Sequence, residues 1–212
     1  MGNTVNGTNG GIGVTGIGPG EGRPVLLLHP WWGVTPAVLE WADALAAAGR
    51  RVLVPDLYGG RVVDTVAEAE ALAEGLDHGA VLRELGVIAD GLSGRGRPWA
   101  AVGFSLGAFF AARLAGRGAA GPDELVLFYG GWSPGGEVGR TRRVELHRVP
   151  DDPYFTEDEV AETVEGFRRA GVEPEVHVYE GAGHWFAERG APGFDGDAHA
   201  LARSRVIGRL GG

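Results

Sequence analysis

From residue 24 onward, short and almost unbroken apolar runs alternate with longer stretches of helical period, and few folds accommodate that pattern. The runs are VLLLH (25–29), RVLVPD (51–56), PWAAVGF (98–104), ELVLFYG (124–130), RRVELHRV (142–149) and EPEVHVYE (173–180). A strand that is apolar at consecutive positions is buried on both faces, which is the condition of a parallel sheet covered by helices on each side. Between the runs, Thr35 and Pro36 offer an N-cap residue and an N1 proline to a helix through AVLEWADALAAAG. Two further helical stretches cover about 62–75 and 78–92, the second opened by Asp77. Thr156 and Glu159 form a capping box for a helix that carries Val160, Val164 and Phe167 on one face, and a last helix covers 195–210. The pattern predicts one α/β domain over residues 23–212, with a mostly parallel sheet and helices on both faces. Residues 1–22 are rich in Gly, Asn and Thr and read as a flexible lead-in.

Composition removes several classes of chemistry. The chain has no Cys, so thiolate nucleophiles, disulfides and cysteine metal sites are excluded. It has no Lys either, which excludes Schiff-base catalysis, P-loop phosphate binding and Ser-Lys dyads together. Nineteen basic against 28 acidic residues leave a net charge of −9 with no basic stretch, so no nucleic-acid partner is expected. No apolar run approaches the ~18 residues that span a bilayer, and no membrane partner is expected. The N-terminus lacks the basic segment and apolar core of a secretion signal, which predicts a cytoplasmic location. The Ala-, Gly- and Arg-rich, lysine-free bias is that of a GC-rich bacterial genome. GIGVTG (11–16) matches the dinucleotide pattern G-x-G-x-x-G, but Gly18-Pro19-Gly20 follows where a helix would have to begin, so the match reads as chance.

Of the four serines, two sit in the pattern G-x-S-x-G: Ser105 in GFSLG and Ser133 in GWSPG. Ser105 lies where a strand runs into a helix. A serine at such a turn is held in a strained backbone conformation, which requires tiny residues two positions away on each side, here Gly103 and Gly107. The helix that follows points the Leu106 N–H and its positive dipole end at a developing oxyanion. Ser133 is followed by Pro134, which has no N–H to offer, and its flanks lead into no helix. A nucleophilic serine needs a base, and in this chain order an acid and then a histidine should follow it. His184, in the Gly-rich loop EGAGHWF after the last strand, fits the base. His29 precedes the nucleophile, His147 and His177 lie within strands, and His78 and His199 belong to helices. The acid belongs after RRVELHRV, where VPDDPY offers Asp151 and Asp152, and spacing does not separate them.

These segments together resemble the dienelactone hydrolase family of α/β-hydrolases: LLLHPWWGVTPAVLEWADALAAAGRRVLVPDLYGG, VGFSLGA, DDPYFTEDEV and YEGAGHWF, over about residues 23–212. The resemblance implies that the acid is the residue before Pro153-Tyr154, which is Asp152. It also implies an oxyanion hole made by the backbone amides of Trp31 and Leu106. Founding members of the family carry a Cys nucleophile poised by a Glu. Here Ser105 replaces the Cys, and Pro30 stands where the Glu would be. Glu188 falls where an arginine that holds the substrate carboxylate is expected, with Arg189 one position away.

Trp31, Trp32, Trp132 and Trp185 all fall on predicted loops, as do Tyr58, Tyr154 and Phe155, with Phe104 at a strand end; Trp41 and Trp99 read as core. Trp32, Tyr58, Phe104, Trp132, Tyr154 and Trp185 are therefore the expected substrate pocket, suited to an apolar or aromatic acyl group. The expected activity is cleavage of a small-molecule carboxylic ester or lactone through an acyl-enzyme on Ser105, with His184 as base and Asp152 as its partner. No metal or organic cofactor is expected. An acyltransferase or thioesterase would use the same residues, and a catalytically silent ligand-binding protein is the reading from a different class. Oligomeric state is left open.

Overall fold

A computed structural model gives the positions of residues 3–5, 11–94 and 96–211. In chain order the elements are β1 (Asn3–Val5), β2 (Gly13–Ile17), β3 (Pro24–Leu28), α1 (Pro36–Ala47), β4 (Arg51–Asp56), α2 (Val66–Glu74) and α3 (His78–Ser93). They continue with β5 (Ala100–Phe104), α4 (Leu106–Ala115), β6 (Glu124–Phe128), β7 (Arg143–Arg148), α5 (Glu157–Arg169), β8 (Glu175–Val178) and α6 (Gly196–Leu210). The strands form one sheet in the order β1-β2-β4-β3-β5-β6-β7-β8. Every neighbouring pair from β4 to β8 is parallel, so all their carboxyl ends open on one edge.

Alternation along the strands divides the interior into two cores, one on each face. Leu26, Leu28, Ala101, Leu125, Leu127, Val144 and Leu146 point to the face covered by α3, α4 and α5. Val25, Leu27, Val52, Val54, Val102, Val126 and Phe128 point to the opposite face, under α1 and α6. The helix starts follow from local chemistry. Thr35 caps α1 ahead of Pro36, Asp77 caps α3 through the Ala80 N–H at 2.9 Å, and Thr156 with Glu159 closes the capping box of α5. Trp41 and Trp99 are fully buried, as the pattern predicts, and each indole N–H is satisfied, by the Ala187 carbonyl and by Ser93 Oγ.

The N-terminal segment departs from expectation. Residues 13–17, read as part of a flexible lead-in, form β2, which pairs antiparallel with β4 from Gly13↔Asp56 to Ile17↔Val52. Residues 3–5 add β1 outside it; residues 1, 2 and 6–10 of that lead-in lie outside the described residues. The physical reason is the open edge of β4, whose backbone groups gain partners from a segment with β-branched residues at Val14, Thr15 and Ile17. The G-x-G-x-x-G match accordingly runs into a strand rather than forming a phosphate loop.

Three strand ends converge at the centre of the sheet because α4 seats unusually close to them. A Cβ on Gly107 would strike the Leu28 carbonyl oxygen and lie 2.7 Å from that of His29, and one on Gly103 would lie 2.6 Å from the Ala108 backbone. Backbone cannot swing aside as a side chain can. Gly107→Ala should therefore lower stability by about 1–3 kcal/mol, with Tm falling roughly 2–4 °C for each kcal/mol. Gly91 of α3, exposed and with nothing within 4 Å of its would-be Cβ, should respond with the opposite sign. Thermal denaturation of Gly107→Ala beside Gly91→Ala checks both.

Candidate active site

Ser105 is the single residue between β5 and α4, and its backbone is held at φ 48° and ψ −111°. A non-glycine residue in the left-handed half of the map costs about 1–3 kcal/mol, so the surroundings must impose it. They do so from two sides. The Ser105 N–H donates to the Phe128 carbonyl at 2.9 Å, and its own carbonyl receives the N–H of Ala108 at 2.9 Å. Gly130 leaves room beside it, since a Cβ there would sit 2.6 Å from the Ser105 carbonyl oxygen.

The loops after β7 and β8 bring two more groups to this turn. Ser105 Oγ lies 3.2 Å from His184 Nε2, and His184 Nδ1 lies 2.7 Å and 2.8 Å from the two carboxylate oxygens of Asp152. Asp152 Oδ1 also accepts the N–H groups of Tyr154 at 2.9 Å and Phe155 at 3.1 Å, which fixes the carboxylate. With Nδ1–H committed to that carboxylate, Nε2 turns its lone pair to the serine hydroxyl. Spacing left Asp151 and Asp152 equal; Asp151 is exposed, with φ 51°, and it is Asp152 that is buried against His184. Ser133 sits apart, packed on Gly166 of α5.

Leu106 is the first residue of α4, so its N–H has no carbonyl four residues back to bond. Trp31 follows the β3 exit loop, whose Leu28 and His29 carbonyls lie against the same first turn of α4. His29 braces that loop. Buried, it donates from Nδ1 to the Pro30 carbonyl at 2.6 Å and accepts the Leu57 N–H at Nε2 at 3.0 Å. Desolvation holds it below the ordinary imidazole pKa, so it is a neutral strut between the loops after β3 and β4.

A cavity of about 270 Å³ opens at Ser105, lined by Leu106, Phe109, Tyr129, Trp132 and Tyr154 among others. Beside it the aromatic residues form a continuous wall. Trp31 packs on Trp32, Tyr154 and Trp185 with centroids 5.5–5.7 Å apart, and Tyr154 and Trp185 both lie 5.1 Å from the His184 ring. Trp32 also lines a second cavity of about 340 Å³, with Val62, Val63, Glu188, Arg189 and Pro192. Three expected pocket residues lie elsewhere. Trp185 is buried among Trp31, Trp32, Tyr154 and His184 and lines neither cavity. Phe104 is the last residue of β5, and strand alternation turns it to the α1 face, where it stacks on Phe128 at 4.7 Å. Tyr58 is buried 5.0 Å from the His29 ring and lines neither cavity.

Sequence reasoning missed Tyr129. It has φ 35°, its ring lies 4.9 Å from that of His184, and its hydroxyl donates to Glu188 Oε1 at 2.7 Å. The signal was available in FYGG, where two glycines crowd a strand end against the Ser105 turn. Glu188 is 2% exposed, and burial pushes its carboxyl up to about 8. Its Oε2 has no hydrogen-bond partner among the described residues, and neither do the indole N–H groups of Trp31, Trp32 and Trp185.

The sequence model of the dienelactone hydrolase family matches residues 14–211. A carboxymethylenebutenolidase of Cupriavidus pinatubonensis is 28% identical over 205 residues, covering 86% of this chain and 83% of its own. Among solved structures, a dienelactone hydrolase-like promiscuous phosphotriesterase from metagenomic libraries superposes with a TM-score of 0.79 at 22% identity, over 99% of this chain and 97% of its own. A dienelactone hydrolase from Anabaena variabilis gives 0.70 at 17% identity, over 98% and 95%. Both share the fold. No helix among the described residues is long and apolar enough to cross a membrane.

The buried carboxyl gives a pH dependence that needs no substrate to observe. An acid whose folded pKa is raised from 4.5 to about 8 stabilises the fold most when protonated, and that contribution is lost as pH rises through this window. Glu188→Gln keeps an acceptor for Tyr129 and removes the titration. Its Tm relative to wild type should climb between about pH 5 and pH 8 and level off above. A difference that stays flat across this range, measured by scanning calorimetry, would contradict the burial of an ionisable group here.

Proposed function

Because the chain belongs to the dienelactone hydrolase family and is a hydrolase of that kind, we propose that it cleaves neutral carboxylic esters or lactones through an acyl-enzyme on Ser105. The observation that carries this reading is the unbroken row from the strained Ser105 through His184 to buried Asp152, at 3.2 Å and 2.7 Å. His184 takes the Ser105 proton as the hydroxyl adds to the carbonyl. Asp152 holds the imidazole in the right tautomer and steadies the imidazolium that forms. The amides of Leu106 and Trp31 receive the oxyanion charge. Collapse of the tetrahedral adduct expels the alcohol, protonated by His184. Water, deprotonated by the same histidine, then releases the acid and restores Ser105.

The cavity walls favour a substrate with an apolar body and acceptor oxygens. Phe109, Trp132 and Tyr154 supply aromatic surface at Ser105, and Trp32, whose indole N–H has no partner among the described residues, lines the second cavity with a donor that a carbonyl or ether oxygen would satisfy. An anionic substrate is less well served. Arg189 lines the second cavity, but its Nε lies 3.2 Å from Glu40, and Asp64 lines the same cavity.

Hydrolysis of a p-nitrophenyl ester series tests the assignment. Ser105→Ala should lose on the order of 10⁴-fold or more in kcat, and Asp152→Asn a loss of about 10⁴-fold, while Ser133→Ala keeps the wild-type rate. Equal rates for wild type and Ser105→Ala on every ester would overturn the mechanism. A fluorophosphonate probe, read by mass spectrometry, should label Ser105 and spare Ser133.

A further inference from the structure

Away from Ser105, under α6, the sheet carries a second cluster that this chemistry does not use. Glu145 and His147 stand two residues apart on β7 and so share a face, and His147 pairs in register with His177 on β8. The cluster is enclosed: Glu145 is 2% exposed, His147 fully buried, and the His177 side chain 12% exposed. His147 Nε2 lies 3.2 Å from Glu145 Oε2, His177 Nε2 lies 3.9 Å from the same oxygen, and all three donor atoms fall within 4.8 Å of one another. We propose that Glu145, His147 and His177 form a binding site for a divalent transition-metal ion of the zinc class, which clamps the edge strand β8 to β7.

Four observations support the site. The donor set is two imidazoles and one carboxylate, which suits Zn²⁺, Co²⁺ or Ni²⁺ rather than Ca²⁺ or Mg²⁺. Ligand atoms about 2.0–2.2 Å from one ion stand roughly 3.4 Å apart, so small side-chain rotations from the observed separations suffice. The far side of two ligands is already held. His147 Nδ1 lies 2.7 Å from the Tyr179 hydroxyl, which Arg205 also contacts at 3.1 Å, and the other oxygen of Glu145 meets Arg209 Nε. Outer partners of this kind orient metal ligands. Finally, His177 Nε2 is buried without a hydrogen bond among the described residues.

A cavity of about 560 Å³ lined by Glu175, His177, Arg205, Gly208 and Arg209 opens beside this cluster, with His177 at its wall. The two arginines are the cations an incoming ion meets. Arg209 is partly exposed and also bonds Glu175 Oε2 at 2.6 Å.

The test is calorimetric titration of the untagged protein with Zn²⁺, and with Co²⁺ for its visible d–d bands, alongside thermal melts. Wild type should bind one equivalent saturably, develop the Co²⁺ bands of a four- or five-coordinate site, and melt higher with Zn²⁺ present. His177→Gln should bind at least about tenfold more weakly, whereas His78→Gln, a histidine on α3, should match wild type. No saturation by about 100 μM free Zn²⁺, or a His177→Gln variant that binds as tightly as wild type, overturns the proposal. The wild-type titration decides the matter even if His177→Gln fails to fold.

Discussion

The close seating of α4 on the exits of β3, β5 and β6 is the constraint from which the candidate site follows. A helix placed that near a sheet edge leaves one residue to make the turn, and that residue is driven to φ 48°. Gly103, Gly107 and Gly130 remove the atoms that would prevent the approach. Strain at Ser105 is thus the price of bringing an unpaired helix amide, a serine hydroxyl and the β3 exit loop into one small volume. The other two non-glycine residues with positive φ among the described residues, Tyr129 and Asp151, flank the same volume, one over the imidazole and one beside the carboxylate that pairs with it.

What the amino-acid pattern made legible was whatever depends on chain order and period. The buried parallel strands, the capped helices and the order of serine, then Asp151 or Asp152, then His184 all follow from local rules, while the choice of Asp152 came from the family resemblance. The structure places Ser105, His184 and Asp152 in hydrogen-bonded sequence. What it concealed depends on direction. Phe104 and Tyr58 sit beside loops near the site, yet the pleat and the loop twist send both rings inward. Asp151 and Asp152 are adjacent, so spacing is blind to a choice that one left-handed residue makes.

Edges were concealed as well. Gly13–Ile17 has too little apolar content to read as a strand, and it becomes one because β4 would otherwise present an unpaired edge. The pairing of His147 with His177 is likewise a matter of register between strands 30 residues apart in number, which no single-strand pattern discloses.

The neutral strut at His29 has a further consequence. It joins the loops after β3 and β4 from beneath and occupies both ring nitrogens with backbone groups. The floor of the cleft is therefore tied together by main chain, while the upper walls, such as Trp132 and Tyr154 with 39% and 44% exposure, reach out into solvent. The most exposed rings of the candidate site are thus the ones least constrained by the buried strut beneath them. The rim can diversify, one aromatic at a time, over a floor that does not have to move.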